Sequence, residues 1–209
     1  IKPDYAEAYN HLGNAFKEIG KLEDAVANYR KVLALKPDFT ETHNNLGDTL
    51  RELRLLDEAV THCKKAINIK PDYAEAHLNL GNALQGLGKF EEAEASYKRA
   101  HVLKPDFAKA HYNLGLALHG LGKLEDAVAS YQKALDLEPD FAMAHNNLGA
   151  VLQDLGKPED ATASCRRALI LKPDYFEAHN NLGISFMNLG RLEKALTSYQ
   201  KALAIEPNS

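Results

Sequence analysis

The sequence predicts an all-α chain of six copied helical hairpins stacked as an α-solenoid, and three periodic observations carry that prediction. Pro3, Pro37, Pro71, Pro105, Pro139, Pro173 and Pro207 stand 34 residues apart, and only Pro158 lies outside the series. A constant period of this size means that one supersecondary unit is copied and stacked. Within each period, apolar and small residues keep three- and four-residue spacing in two separate stretches, and two glycine series follow the same period. The units fall at 6–39, 40–73, 74–107, 108–141, 142–175 and 176–209, in a single array over 1–209 with residues 1–5 left from a preceding unit.

The fourth unit shows the two helices. Ala108, His111, Leu114, Gly115, Leu118 and Leu121 form one amphipathic stripe, and Leu124, Ala127, Val128, Tyr131, Ala134 and Leu135 form the second. Proline lacks an amide hydrogen and restricts the residue before it, so each Lys-Pro-Asp or Glu-Pro-Asp triplet ends one helix. The Asp is then expected to start the next. Asp4, Asp38, Asp72 and Asp174 precede Glu7, Glu41, Glu75 and Glu177 by three residues, the spacing of a reciprocal capping box. Lys109 and Met143 take the Glu place in the fourth and fifth units.

Gly20, Gly88, Gly122, Gly156 and Gly190 mark the turn inside each hairpin, where a left-handed backbone is cheapest without a Cβ. Arg54 holds that place in the second unit, and keeping the turn there costs about 1 kcal/mol. Gly13, Gly47, Gly81, Gly115, Gly149 and Gly183 fall inside the first helix of each unit. A glycine there costs about 0.5–1 kcal/mol relative to Ala, so the series implies close helix contact.

Composition narrows function. The chain is 45% hydrophobic and 26% charged, ordinary for a folded protein, with a formal net charge of −4 and a pI near 6.1. No basic surplus exists to neutralise a phosphate backbone, which argues against nucleic-acid binding. No stretch approaches the roughly 20 apolar residues of a spanning helix, and the N-terminus lacks the plan of a secretory signal. The chain therefore reads as cytoplasmic. Cys63 and Cys165 lie three periods apart, too far to bridge, and read as small buried hydrophobes. Nothing calls for a cofactor or a metal, and no phosphate-binding glycine loop, HExxH, paired CxxC or nucleophile elbow occurs.

Immediately before each Leu-Gly pair stand Asn45, Asn79, Asn113, Asn147 and Asn181, with His11 at that place in the first unit. A primary amide carries the same donor and acceptor functions as a peptide backbone, so this ladder suits gripping a chain without reading its side chains. With inner helices about 10 Å apart and an extended ligand advancing about 3.3 Å per residue, one rung meets roughly every third ligand residue. The other role open to these amides is to bond to neighbouring helices and hold the stack in register.

Residues one turn either side of the ladder change along the chain. Glu7, Asn10, Asn14, Glu41, Asn44, Asp48, Glu75 and Asn82 make the early groove polar and acidic; Lys109, Tyr112, Leu116, Met143, Ala150, Ile184 and Met187 make the later groove apolar. A ligand basic at one end and apolar at the other suits that gradient. His43, His77, His111, His145 and His179 recur in the slot of Tyr9, on different helix pairs, which assigns them to packing rather than to metal. His62, His101 and His119 are expected at the surface.

These units resemble tetratricopeptide repeats. The residues that carry the likeness are Tyr9, Leu12, Gly13, Phe16, Ala25, Tyr29, Val32 and Pro37 in the first unit, and His77, Leu80, Gly81, Leu84, Ala93, Tyr97, Ala100 and Pro105 in the third. The resemblance implies a right-handed superhelix whose first helices line a concave groove that binds peptides or proteins. Strings such as His43-Asn44-Asn45-Leu46-Gly47 are most similar to the repeat region of O-linked N-acetylglucosamine transferases and SPINDLY-like proteins. The family's clamp for a C-terminal carboxylate needs Lys and Arg at inward places that here hold Asn, Leu, Tyr and Glu. The implied function is a non-catalytic scaffold for an extended peptide or protein segment. The alternatives are the substrate-recruiting part of a larger glycosyltransferase-type enzyme, or a module that stacks end to end. Groove residues on this reading are the five Asn with Glu41, Asp48, Asn82 and Tyr112. Both ends look like cuts within a longer array, and the uncapped faces predict self-association.

Overall fold

The computed structural model describes residues 4–206, and every regular element among them is α-helical. Six hairpins follow one another: α1 (Asp4–Glu18) with α2 (Leu22–Leu35), α3 (Thr40–Glu52) with α4 (Leu56–Ile69), and α5 (Ala74–Gly86) with α6 (Phe90–Leu103). Then come α7 (Ala108–Gly120) with α8 (Leu124–Leu137), α9 (Ala142–Asp154) with α10 (Pro158–Leu171), and α11 (Phe176–Asn188) with α12 (Leu192–Ile205). Pro3, Pro207 and the side chain of Asp4 lie outside the described residues. The chain divides into two compact units, Ile1–Pro105 and Asp106–Ser209, each holding three hairpins.

The period-34 glycines explain how each hairpin closes. A Cβ added to Gly13, Gly81, Gly115 or Gly183 would sit 2.5–2.7 Å from the ring of Tyr29, Tyr97, Tyr131 or Tyr199, on the second helix of the same hairpin. At Gly47 and Gly149 the neighbour is the sulfur of Cys63 or Cys165, at 2.6 Å. The two cysteines therefore occupy the tyrosine slot. Both are free and fully buried, and burial pushes each thiol up to about 12, so neither is a thiolate at neutral pH.

Inside each hairpin, the turn is a Schellman motif. The Gly20 and Lys21 amides donate to the carbonyls of Lys17 and Phe16 at 2.9 Å, and Arg54 and Leu55 repeat the pattern onto Arg51 and Leu50. Arg54 keeps the left-handed conformation of its glycine counterparts, with φ of 63° against 75° at Gly20.

The capping boxes expected at Asp38–Glu41, Asp72–Glu75 and Asp174–Glu177 do not form; the one expected at Asp4–Glu7 lies outside the described residues. Helices α3, α5 and α11 begin one residue later than a box requires, because the aromatic residue after the Asp is the N-cap: Phe39, Tyr73 and Tyr175, with no side-chain capping bond. Glu41 and Glu75 turn elsewhere, Glu41 accepting from Asn10 at 3.4 Å and Glu75 from Lys104 at 3.2 Å. A histidine does the work instead. Nε2 of His43, His77, His145 and His179 meets the carbonyl of Pro37, Pro71, Pro139 and Pro173 at 2.8–3.0 Å, tying the helix back to the turn before it. A lysine at the end of the previous helix lies over the N-cap ring, as Lys172 does over Tyr175 at 4.7 Å.

In both units the first helices of successive hairpins touch one another, whereas among the described residues each second helix touches only first helices. Each unit thus presents its first helices on the tighter, inner side. Val26 and Leu33 of α2 join Leu46 and Leu50 of α3, and Leu53 at its C-cap, in one apolar cluster with Tyr29 and Ala59, which sets the register between one hairpin and the next.

Candidate peptide-binding face

Asn45, Asn79, Asn113, Asn147 and Asn181 all stand half-buried on first helices. Where hydrogen bonds define them, the amides point along the stack. In the first unit Asn79 Nδ2 donates to Asn44 Oδ1 at 3.0 Å, Asn44 Nδ2 approaches Asn45 Oδ1 at 3.5 Å, and Asn45 Nδ2 donates to Asn14 Oδ1 at 3.1 Å. The second unit repeats the relay: Asn181 to Asn146 at 2.9 Å, Asn146 to Asn147 at 3.2 Å, and Asn147 to the Tyr112 hydroxyl at 2.9 Å. Each relay crosses three hairpins. Asn44 and Asn146 are buried and transmit it; Asn44, read from sequence as a groove residue, is an internal strut. The Asn-Asn doublets at 44–45 and 146–147 were the available signal, since a buried amide needs a partner.

A primary amide has two donors and an acceptor oxygen with two lone pairs. These bonds commit one donor on each of Asn45, Asn79, Asn147 and Asn181, and no described residue bonds the oxygens of Asn79 or Asn181. The relay holds these amides in one orientation and leaves one donor and the oxygen of Asn79 and of Asn181 without a protein partner among the described residues.

The other expected contact residues divide. Tyr112 is buried, its ring 4.7 Å from Phe141 and 5.9 Å from Tyr131, and its hydroxyl accepts from Asn147, so the structure corrects its assignment to the open groove. Glu41 is exposed. Asp48 is enclosed by Lys17 and Arg51; burial alone would raise its carboxyl, and the two cations overcome that and hold it below the usual carboxylate range. It has little charge left for a basic ligand. Asn82 Oδ1 accepts the Tyr97 hydroxyl at 2.9 Å. Among the later apolar residues, Met143 and Met187 are exposed and Leu116, Ala150 and Ile184 half-buried.

Two further findings escaped the sequence. His62, expected at the surface, is half-buried, and its Nδ1 lies 3.0 Å from Nδ1 of His43. Because His43 gives its Nε2 hydrogen to Pro37, its Nδ1 is a lone pair and His62 is the donor. Burial and then the neighbouring His43 push His62 down to about 4; burial lowers His43 as well. His101 and His119 are also half-buried, and His119 reaches Asp154 at 2.7 Å. Among the described residues, no three His, Cys, Asp or Glu side chains converge as a metal site requires, and no helix is long and apolar enough to cross a membrane.

Family comparison covers almost the whole chain. Descriptions of the tetratricopeptide repeat match residues 38–103, 78–140, 120–174 and 176–209, and the TPR repeat matches 13–53. The chain belongs to the tetratricopeptide-repeat family. Against curated proteins this TPR chain finds no match. Among solved structures it is similar to MamA, with a TM-score of 0.72 and 28% identity over 78% of this chain and 95% of MamA. YrrB, described as a TPR protein with an unusual peptide-binding site, aligns with a TM-score of 0.71 at 22% identity over 86% of this chain and 93% of its own. PilW, a type IV pilus biogenesis factor, aligns at 0.89 and 21% identity over 98% and 94%. The last two likenesses establish the fold.

Proposed function

We propose that this TPR chain is an interaction scaffold that holds an extended segment of another polypeptide along its first-helix face. The observation that carries the reading is the relay: inter-repeat bonds fix the ladder amides and leave a donor and an acceptor on each of the half-buried Asn79 and Asn181 without a protein partner among the described residues. Fixed amides lose little entropy on binding, and a main chain supplies the complementary pair of functions at every residue. Unit by unit, the face differs in character. Asn14, Asn45 and Asn79 make the first polar, while Leu116, Met143, Ile184 and Met187 make the second apolar, so each unit favours ligand side chains of its own kind. The peptide site named for YrrB supports the reading.

Peptides selected from a random dodecapeptide display library on the immobilised chain provide the test. Asn79→Ala and Asn181→Ala are expected to weaken a selected peptide by about tenfold each, or 1.4 kcal/mol, with helicity retained. Unchanged affinity in both variants would end the proposal. A second reading, recruitment of substrates to a glycosyltransferase, rests on the His-Asn-Asn-Leu-Gly strings at 43–47, 145–149 and 179–183. A glycosyltransferase domain encoded in the same reading frame would favour it.

A further inference from the structure

Among the described residues the second helices α10 and α12 do not touch, and a cleft of about 510 Å³ lies between them with α11 as its floor. Leu169, His179, Leu182, Ser198, Lys201 and Ile205 form its walls. On α12, Ser198, Lys201 and Ile205 stand roughly 160° around the helix from Leu196 and Leu203. The cleft therefore does not depend on what covers those two leucines.

The same walls occur inside the array. Moved by whole periods onto the second hairpin, every residue of the cleft keeps its identity, except that His62 stands in place of Ser198 and Asn68 in place of Ala204. There the His62 ring reaches across and donates from Nδ1 to Nδ1 of His43 at 3.0 Å. His179 is the counterpart of His43 and holds the same posture. Its Nε2–H donates to the Pro173 carbonyl at 2.9 Å, as that of His43 does to Pro37 at 2.8 Å, so its Nδ1 is a lone pair. That nitrogen is buried, and no described residue bonds it. Ser198 does not serve it, because the serine hydroxyl donates to the Lys194 carbonyl at 2.9 Å. Serine recurs at 96, 130 and 164, yet among the described residues only His179 in this histidine slot leaves a buried ring nitrogen unpaired.

We infer that the cleft binds a neutral imidazole-type ring, a planar five-membered heteroaromatic with an N–H, which takes the place of the His62 side chain and donates to His179 Nδ1. A buried acceptor without a donor is costly, and the incoming N–H removes that cost. Thr197 and Lys201, on the same wall, are donors for the second nitrogen of the ring. The ring arrives as a free heterocycle or as a histidine side chain of a partner.

Titration of the chain with imidazole at about pH 8, where the ring is neutral, tests the inference by heteronuclear NMR. Imidazole is expected to saturate with a Kd of about 1 mM and to shift the His179 Nδ1 resonance. N-methylimidazole, which has no N–H, should bind at least roughly tenfold more weakly. Ser198→His combined with Ala204→Asn rebuilds the wall of the second hairpin and should abolish binding, with circular dichroism matching the parent. Acetylhistidine methylamide separates the two sources: binding at His179 assigns the site to a partner's histidine, and exclusion assigns it to a free heterocycle. Imidazole that does not saturate below about 10 mM, or leaves His179 unmoved, overturns the inference. So does equal binding of N-methylimidazole, which needs no variant, or undiminished binding to the folded double variant.

Discussion

Tyr29, Tyr97 and Tyr131 fill equivalent places, each packed on a first-helix glycine and essentially unexposed, yet their hydroxyls differ in one respect. Tyr29 donates to Asn14 at 2.7 Å and Tyr97 to Asn82 at 2.9 Å. In the fourth hairpin Leu116 stands where Asn14 and Asn82 stand, and the buried Tyr131 hydroxyl has no hydrogen-bond partner among the described residues. Leaving a buried hydroxyl unpaired costs about 1–3 kcal/mol, while an ordinary paired one contributes about 1 kcal/mol. Tyr131→Phe keeps the ring and deletes the orphan, so it should raise stability by about 1 kcal/mol, whereas Tyr29→Phe and Tyr97→Phe should each lower it by about 1 kcal/mol. Urea unfolding followed by circular dichroism measures the three variants against the parent. A nearest-neighbour fit suits a repeat chain, whose hairpins need not unfold together. If Tyr131→Phe destabilises as much as Tyr29→Phe, the hydroxyl has a partner and the reasoning fails.

Three further substitutions have signed outcomes. Gly81→Ala would place a Cβ 2.5 Å from the Tyr97 ring; it should cost about 1–3 kcal/mol in urea unfolding although Ala is the better helix former by about 1 kcal/mol. Arg54→Gly removes a left-handed side-chain residue and should raise the thermal midpoint, gaining about 1 kcal/mol. The depressed His62 and His43 make the folded state bind fewer protons than the unfolded chain, so stability is full above pH 6.5 and falls as the pH drops toward about 4. His62→Ser, the residue found at 96, 130, 164 and 198, should make that decline shallower in unfolding curves recorded across the same range.

Much of this was legible because copying makes position informative. The period placed every hairpin, the inner glycines announced close contact, and Arg54 announced a left-handed turn outside glycine. The two cysteines read correctly as buried small groups, although only the glycine contacts show that they stand in for tyrosine. Less visible were facts that depend on which residues meet across helices. Tyr131 lacks a partner because a residue 15 positions earlier is Leu116, a relation that needs the hairpin's packing geometry. Tyr112 lies on the same helix as the ladder, but its ring turns toward Phe141 and Tyr131. The capping boxes failed by one residue, because an aromatic N-cap intervenes and the histidine behind it secures the turn. That same histidine forms a pair with His62, which periodicity alone marks as unusual without saying what it touches.

An N-methyl scan of a library-selected peptide, set beside an alanine scan of the same peptide, is the most direct measurement of main-chain capture by the ladder amides. The account predicts that methylating main-chain nitrogens about every third residue weakens binding by about tenfold or more, and that alanine at those residues changes affinity far less. Binding that follows the side chains and tolerates N-methylation throughout would contradict it.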